Sequence, residues 1–108
     1  MNENKACSLT KKIYTSMYRI RYAHDVLTKD LPKLKAANLS SNFFKEIDNI
    51  RQNPFVGKRL TGPLKGKYSI RINLQHRIFY TFDSNKIVID DMKYEGTVNV
   101  LQAFGHDY

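Results

Sequence analysis

Regular patterning begins at Met17-Tyr18-Arg19-Ile20-Arg21-Tyr22, where Tyr18, Ile20 and Tyr22 alternate with Arg19 and Arg21 and predict a strand with one buried face. Asp25 then stands where it can cap a helix whose apolar positions Leu27, Leu31 and Leu34 recur at helical spacing. Pro32 falls inside that pattern and should kink or restart the helix, because proline lacks the backbone donor and clashes with the preceding turn. Leu39, Phe43, Ile47 and Ile50 predict a second helix, with Ser40 or Ser41 as its cap and Asn53-Pro54 as its stop. The short polar link around Asn38 makes the pair an antiparallel hairpin.

Beyond Pro54 the period changes from helical to two. Gly57, Gly62, Pro63 and Gly66 mark an irregular loop, followed by predicted strands at Tyr68–Leu74, Arg77–Phe82, Lys86–Met92 and Thr97–Phe104. Asp83-Ser84-Asn85 and Tyr94-Glu95-Gly96 read as hairpin turns between the last three. One strand, a helical hairpin and an antiparallel meander make an α+β fold with the helices packed on one sheet face. Residues 1–17 carry no convincing period and read as an N-terminal extension, either disordered or preceding a true start at Met17, while residues 18–108 form one domain.

Composition narrows the class. With 42% hydrophobic against 26% charged residues, the 108-residue chain is globular rather than disordered. It has neither the run of about 18 apolar residues that spans a membrane nor the apolar core of a secretory signal, so a cytoplasmic protein without a membrane partner is expected. Cys7 is the single cysteine, which excludes an internal disulfide and a cluster of zinc-bound thiolates.

Charge changes the picture more. From Asn49 to Phe82 there is no Asp or Glu, yet Arg51, Lys58, Arg59, Lys65, Lys67, Arg71 and Arg77 lie there, supplying seven of the eight net positive charges. Such a concentration attracts polyanions at long range and holds phosphates at short range, so nucleic acid is the expected partner; a docked acidic peptide would satisfy the same charge.

Strand alternation places Ile70, Ile72 and Leu74 on one face and Ser69, Arg71 and Asn73 on the other, with Ile78, Tyr80 and Phe82 opposite Arg77 and Phe79 in the next strand. Arg71 should therefore project from the face away from the helices, where its two-pronged guanidinium suits a phosphate and Phe79 is an exposed aromatic. Lys58, Arg59, Lys65 and Lys67 sit on the preceding loop. The chain ends in Phe104-Gly105-His106-Asp107-Tyr108, an imidazole and a phenol able to exchange or donate protons. By contrast, His76 reads as a turn residue and His24 has no evident role. Asp91-Met92-Lys93, with Asp83 and Asp90, loosely matches the acid-x-Lys arrangement of metal nucleases. Adjacent strand residues face opposite ways, however, so no metal site and no cofactor is expected.

The ordered set Asn53-Pro54-Phe55-Val56-Gly57-Lys58, Gly62-Pro63-Leu64-Lys65, Ser69-Ile70-Arg71-Ile72, His76-Arg77-Ile78-Phe79-Tyr80 and Gly105-His106-Asp107-Tyr108 resembles the RelE/ParE toxin superfamily, most closely its Txe/YoeB branch. The resemblance implies the toxin of a type II toxin–antitoxin system, a ribosome-dependent mRNA endonuclease inhibited by a cognate antitoxin and cleaving without metal by attack of the ribose 2′-hydroxyl. It implies Arg71 at the scissile phosphate, Lys65 as the lysine of the Pro-Leu-Lys loop, and His106 and Tyr108 as the C-terminal catalytic pair. Lys58, Arg59, Lys67 and Arg77 are then candidates for binding RNA. Two positions depart from the family pattern: Asp107 separates His106 from Tyr108, and Gly62 stands where a Glu often precedes Pro-Leu-Lys. These departures keep a gyrase-inhibiting ParE-like toxin open, and the basic face alone would suffice for a non-catalytic RNA- or ribosome-binding module. Oligomeric state is not legible.

Overall fold

The computed structural model describes residues 17–104 and the backbone of residues 13 and 14. The first long element is β2 (Arg19–Tyr22), preceded by the short β1 (Ile13–Tyr14). Ile20 and Tyr22 of β2 pack toward the core, while Arg21 is exposed. Then comes a π-type turn at Val26–Asp30, which runs directly into α1 (Leu31–Ala36). The Leu31 amide reaches back five residues to the Val26 carbonyl, and Pro32 falls in the first turn of α1, where its missing donor costs nothing. The wide turn adds a residue and shifts the helical phase, so Val26 is buried and Leu27, expected in the core, is 49% exposed.

Asn38, at φ 60, ends α1: the Leu39 amide donates to Leu34 O at 2.8 Å and the Asn38 amide to Lys35 O at 3.0 Å, the paired bonds of a left-handed C-terminal cap. Helix α2 (Ser40–Gln52) buries Phe43, Ile47 and Ile50, as their spacing predicted. No serine side chain caps it; Leu39 occupies the cap position and accepts the Phe43 amide at 2.9 Å.

The main sheet has five strands in the order β2-β8-β5-β4-β3, where β3 is Lys58–Arg59, β4 Tyr68–Arg71, β5 Arg77–Asp83 and β8 Thr97–Gln102. β2 runs parallel to β8, and the other pairs are antiparallel. The architecture is thus the expected α+β fold, and the core lies between the helices and one sheet face, with Ile78, Tyr80, Val98 and Val100 meeting Val26, Leu34, Phe43, Ile47 and Ile50.

The meander differs from expectation in one respect. Lys86–Met92 is not a sheet strand between β5 and β8, which pair directly. It contributes instead to a separate hairpin of β6 (Ile87–Ile89) and β7 (Met92–Tyr94), joined by Asp90 and Asp91 at φ 51 and 67 and extended by β1, parallel to β7. Positive φ at both central residues gives the turn the twist that a two-residue hairpin needs, and Asp tolerates that region better than most residues. These aspartates are therefore turn residues rather than neighbours on a strand. Among the described residues no group of three or more His, Cys, Asp or Glu is placed to hold a metal ion, and no helix is long and apolar enough to cross a membrane.

The hairpin leaves the sheet through a narrow neck. Arg19 N–H donates to Gly96 O at 2.9 Å, Glu95 N–H to Met17 O at 3.0 Å, and the hydroxyls of Tyr18 and Ser84 lie 3.1 Å apart. A side chain at Gly96 would collide with the Asp83 carbonyl and come within 2.8 Å of the Tyr18 ring. Gly96→Val should accordingly destabilise the fold by about 1–3 kcal/mol, measured as a lower urea midpoint at unchanged slope.

Candidate functional site

β4 and β5 divide their side chains between two environments. Tyr68, Ile70, Ile78, Tyr80 and Phe82 face the helices; Ser69, Arg71, Arg77 and Phe79 face the opposite way. Arg71 and Arg77 are direct cross-strand partners. Like charges so placed repel unless an anion lies between or above them. Arg77 relieves this partly by donating through Nη1 to Ser69 Oγ at 3.3 Å, diagonally across to β4 two residues from Arg71, which remains exposed.

The loop before β4 adds cations to the rim. Lys58 of β3 pairs with Ser69 and shares the arginine face, whereas Arg59 pairs with Tyr68 and belongs to the other side. The Leu60 amide donates to Lys67 O at 2.9 Å, which closes residues 61–66 as a loop with exposed Lys65 near its tip and places Lys67 at its base. Within it Gly62 adopts φ 66, a left-handed conformation that glycine takes without strain. Arg51, counted among the seven cations by sequence, is on α2 close enough to the Tyr22 phenol to influence it, and so lies on the helical side. The surface pair Lys29–Asp25, 3.9 Å apart, is beside the π-type turn; no described carboxylate pairs with Lys58, Lys65, Lys67, Arg71 or Arg77.

The loop is joined to the core by one buried phenol. Tyr80 Oη donates to Pro54 O at 2.7 Å and accepts the Gly57 amide at 3.0 Å, so the turn entering β3 rests on the central strand. Gly57 approaches so closely that a Cβ there would collide with Tyr80 Oη. Asn53 helps form the same turn by accepting the Phe55 amide at 3.1 Å.

Two side chains of this region, one expected on each face, differ in burial from what their alternation predicts. Phe79, expected as an exposed aromatic, is 5% exposed, since β5 is the central strand and Ser69 and Gln102 flank Phe79 on both sides. Leu74, expected in the core, is 88% exposed, because the chain reverses at Ile72. Asn73 Oδ1 holds that reversal by accepting the amides of Gln75 at 2.9 Å and His76 at 2.8 Å.

His106 and Tyr108 lie outside the described residues, but the chain leading to them is held firmly. Asp30 accepts the Ala103 amide at 3.0 Å, Gln102 Nε2 donates to Phe104 O at 3.3 Å, and the Phe104 ring stacks on His76 with centroids 4.3 Å apart. Lys33 Nζ stands 5.7 Å from the same ring. Sequence reasoning gave His76 and Asp30 no part in this; the alternation of polar and apolar residues carries no trace of a contact between residues 73 positions apart.

Burial, partly countered by the Gly57 hydrogen bond, pushes the Tyr80 phenol up from 10.0 to about 12. The neutral form is thus favoured by folding, and its contribution is complete below pH 10 and lost as pH rises through about 12. Tyr80→Phe should cost about 1–3 kcal/mol at neutral pH by leaving Pro54 O and the Gly57 amide unpaired. It should also flatten the fall in stability between pH 10 and 12, measured by urea unfolding of both proteins across that range.

No family model and no curated protein matches this chain. Solved structures do. A YoeB/ParE toxin from Agrobacterium tumefaciens aligns with a TM-score of 0.66 at 20% identity, over 82% of this chain and 99% of that one. The YoeB–YefM complex from Staphylococcus aureus aligns at 0.59 with 20% identity, over 85% and 100%. The toxin–antitoxin complex RelBE2 from Mycobacterium tuberculosis aligns at 0.58 with 24% identity, over 83% and 99%.

Proposed function

We propose that this chain, which has the fold of the RelE/ParE toxins and is YoeB-like within it, is the toxin of a toxin–antitoxin pair and cleaves mRNA on the ribosome. The observation that carries the reading is the Arg71–Arg77 cross-strand pair, two cations on a rigid sheet with no described carboxylate between them. A scissile phosphate above that pair would remove the repulsion, and the charge that builds on the phosphorane would strengthen the same contacts. Arg71 is the group assigned to that charge, assisted by Lys65 from the loop. His106 accepts the proton of the attacking 2′-hydroxyl or donates one to the departing 5′-oxygen, and Tyr108 donates a proton or orients a base. Lys58, Lys67 and Arg77 hold the RNA backbone near the cut, while Arg59, on the other side of β3, is suited to ribosomal RNA. Neither step requires a metal or another cofactor.

The same surface suits an inhibitor. An acidic antitoxin segment placed on the arginine face would put its carboxylates where phosphates bind, and the YoeB–YefM and RelBE2 neighbours, solved as complexes, support such a partner. A second reading, a ParE-like toxin acting on gyrase, is favoured by Gly62. The left-handed turn there is occupied by a glycine, so this loop position supplies no carboxylate to accept a proton.

Induction of the wild type, Arg71→Ala and His106→Ala, followed by mapping of mRNA 5′ ends, separates these readings. Wild-type induction should produce new 5′ ends within translated messages, and each variant should reduce them by about a hundredfold or more. DNA damage signalling with intact messages would replace the nuclease by the gyrase reading.

A further inference from the structure

A second feature of the arginine face lies away from Arg71. Across β2, β8 and β5, Arg21, Asn99 and Thr81 stand in one row, since Arg21 pairs with Asn99 and Asn99 with Thr81. The register of β5 on β8 shifts between Phe79 and Tyr80: Phe79 faces Gln102 while Tyr80 faces Val100. Leu101 is therefore the bulged residue, and it remains 37% exposed two residues along β8 from Asn99, beside this row. These four residues, with Tyr22, Ala23 and Val100, line an open groove of about 320 Å³.

The groove's polar side chains are without partners among the described residues. Arg21 is exposed and forms no ion pair with a described residue, and the Asn99 amide and Thr81 hydroxyl, both half-buried, make no hydrogen bond among the described residues. Asp83, the one acid on the same face of these strands, is opposite Thr97 at the far end of β5, where it accepts the Asn85 amide at 3.0 Å. A cation, an amide able both to donate and accept, a hydroxyl and an exposed apolar side chain together match one nucleotide of a single strand. The guanidinium takes its phosphate, the amide and hydroxyl take a base edge, and Leu101 lies against the base face.

We infer that this groove is a subsite for a nucleotide of single-stranded RNA distant from the cleaved bond, and that Asn99 and Thr81 read its base. The inference rests on the RNA-cleaving reading above for the polarity of the track, but the groove's chemistry is independent of Arg71. Three strand spacings and four residues of β5 separate the Arg71 position from Arg21, about 20 Å on the sheet, beyond the reach of a single nucleotide. Occupation of both places requires an RNA of several residues. A base-reading pocket at that distance confers sequence preference without touching the reacting atoms.

Fluorescence anisotropy with labelled 2′-O-methyl RNAs, which lack the attacking hydroxyl, tests this on the full chain at low salt. Arg21→Ala and Asn99→Leu should each weaken binding of a hexanucleotide about five- to tenfold and leave a dinucleotide unchanged. Arg21→Ala should also reduce the salt slope by about 0.7, whereas Asn99→Leu should not, since only the first removes a phosphate contact. Wild-type affinity of both variants for the hexanucleotide would overturn the subsite. If Arg71→Ala still weakened both RNAs, the RNA-binding reading would survive that result; if Arg71→Ala also bound as wild type, both would fall. Equal losses for both RNA lengths would likewise overturn the subsite, as would binding of a polyglutamate peptide, but not RNA, that is lost in Arg21→Ala. Thermal melts of the variants, expected to match wild type, separate any loss of binding from misfolding.

Discussion

The hydroxyl of Tyr80 joins the two halves of this protein. From the centre of β5 it donates to Pro54 and accepts from Gly57, two backbone groups of the turn that carries the chain from α2 into β3. The phenol is fully buried and its bond to the Pro54 carbonyl is buried with it, so the turn is held by hydrogen bonds that are expensive to leave unmade. Everything cationic on the 58–67 loop starts from that anchor. The same residue contributes its ring to the core beside Ile78 and Val100 and stacks on Tyr68 with centroids 5.7 Å apart. Core packing and loop position are therefore one constraint rather than two.

That arrangement explains why the charged surface does not unfold the domain. Arg71 and Arg77 oppose one another on the central strands, an arrangement that costs stability in an empty sheet. The cost is borne by the other face of the same strands, where Ile78 and Tyr80 are fully buried against Phe43 and Ile47. A rigid strand pair that tolerates local repulsion is a suitable scaffold for an anion, because binding relieves strain rather than requiring rearrangement. The bulge at Leu101 and the clamp on Phe104 belong to the same scaffold, the clamp beside the Arg71–Arg77 pair because His76 directly precedes Arg77. One opens a groove, and the other fixes the point from which the C-terminal residues depart.

Much of this was legible in the amino-acid order, and the failures are instructive. The core positions of α2 followed from their spacing because an uninterrupted helix keeps one period. In the first helix the period failed at Leu27, where the π-type turn before Pro32 inserts a residue that no propensity announces. Strand alternation placed Arg71 and Arg77 on the correct face but failed at Leu74, beyond the Asn73 turn, and misjudged Phe79, whose exposure depends on neighbours from β4 and β8. The Asp90-Asp91 turn leaves no signal in the period, because a pair of non-glycine residues at positive φ is uncommon and the apolar run Ile87-Val88-Ile89 predicts a strand through it.

The order of residues alone determined the α+β class, the acid-free cationic segment and the face on which its arginines stand, since these depend on composition and on a period of two. Only the tertiary structure decided which cations share a surface. It set Arg51 and Arg59 apart from Lys58, Arg71 and Arg77, and it brought Arg21 beside Asn99 and Thr81. The physical reason is that period reports the orientation of a side chain relative to its own strand, whereas a site is made by the register between strands, which long-range pairing sets.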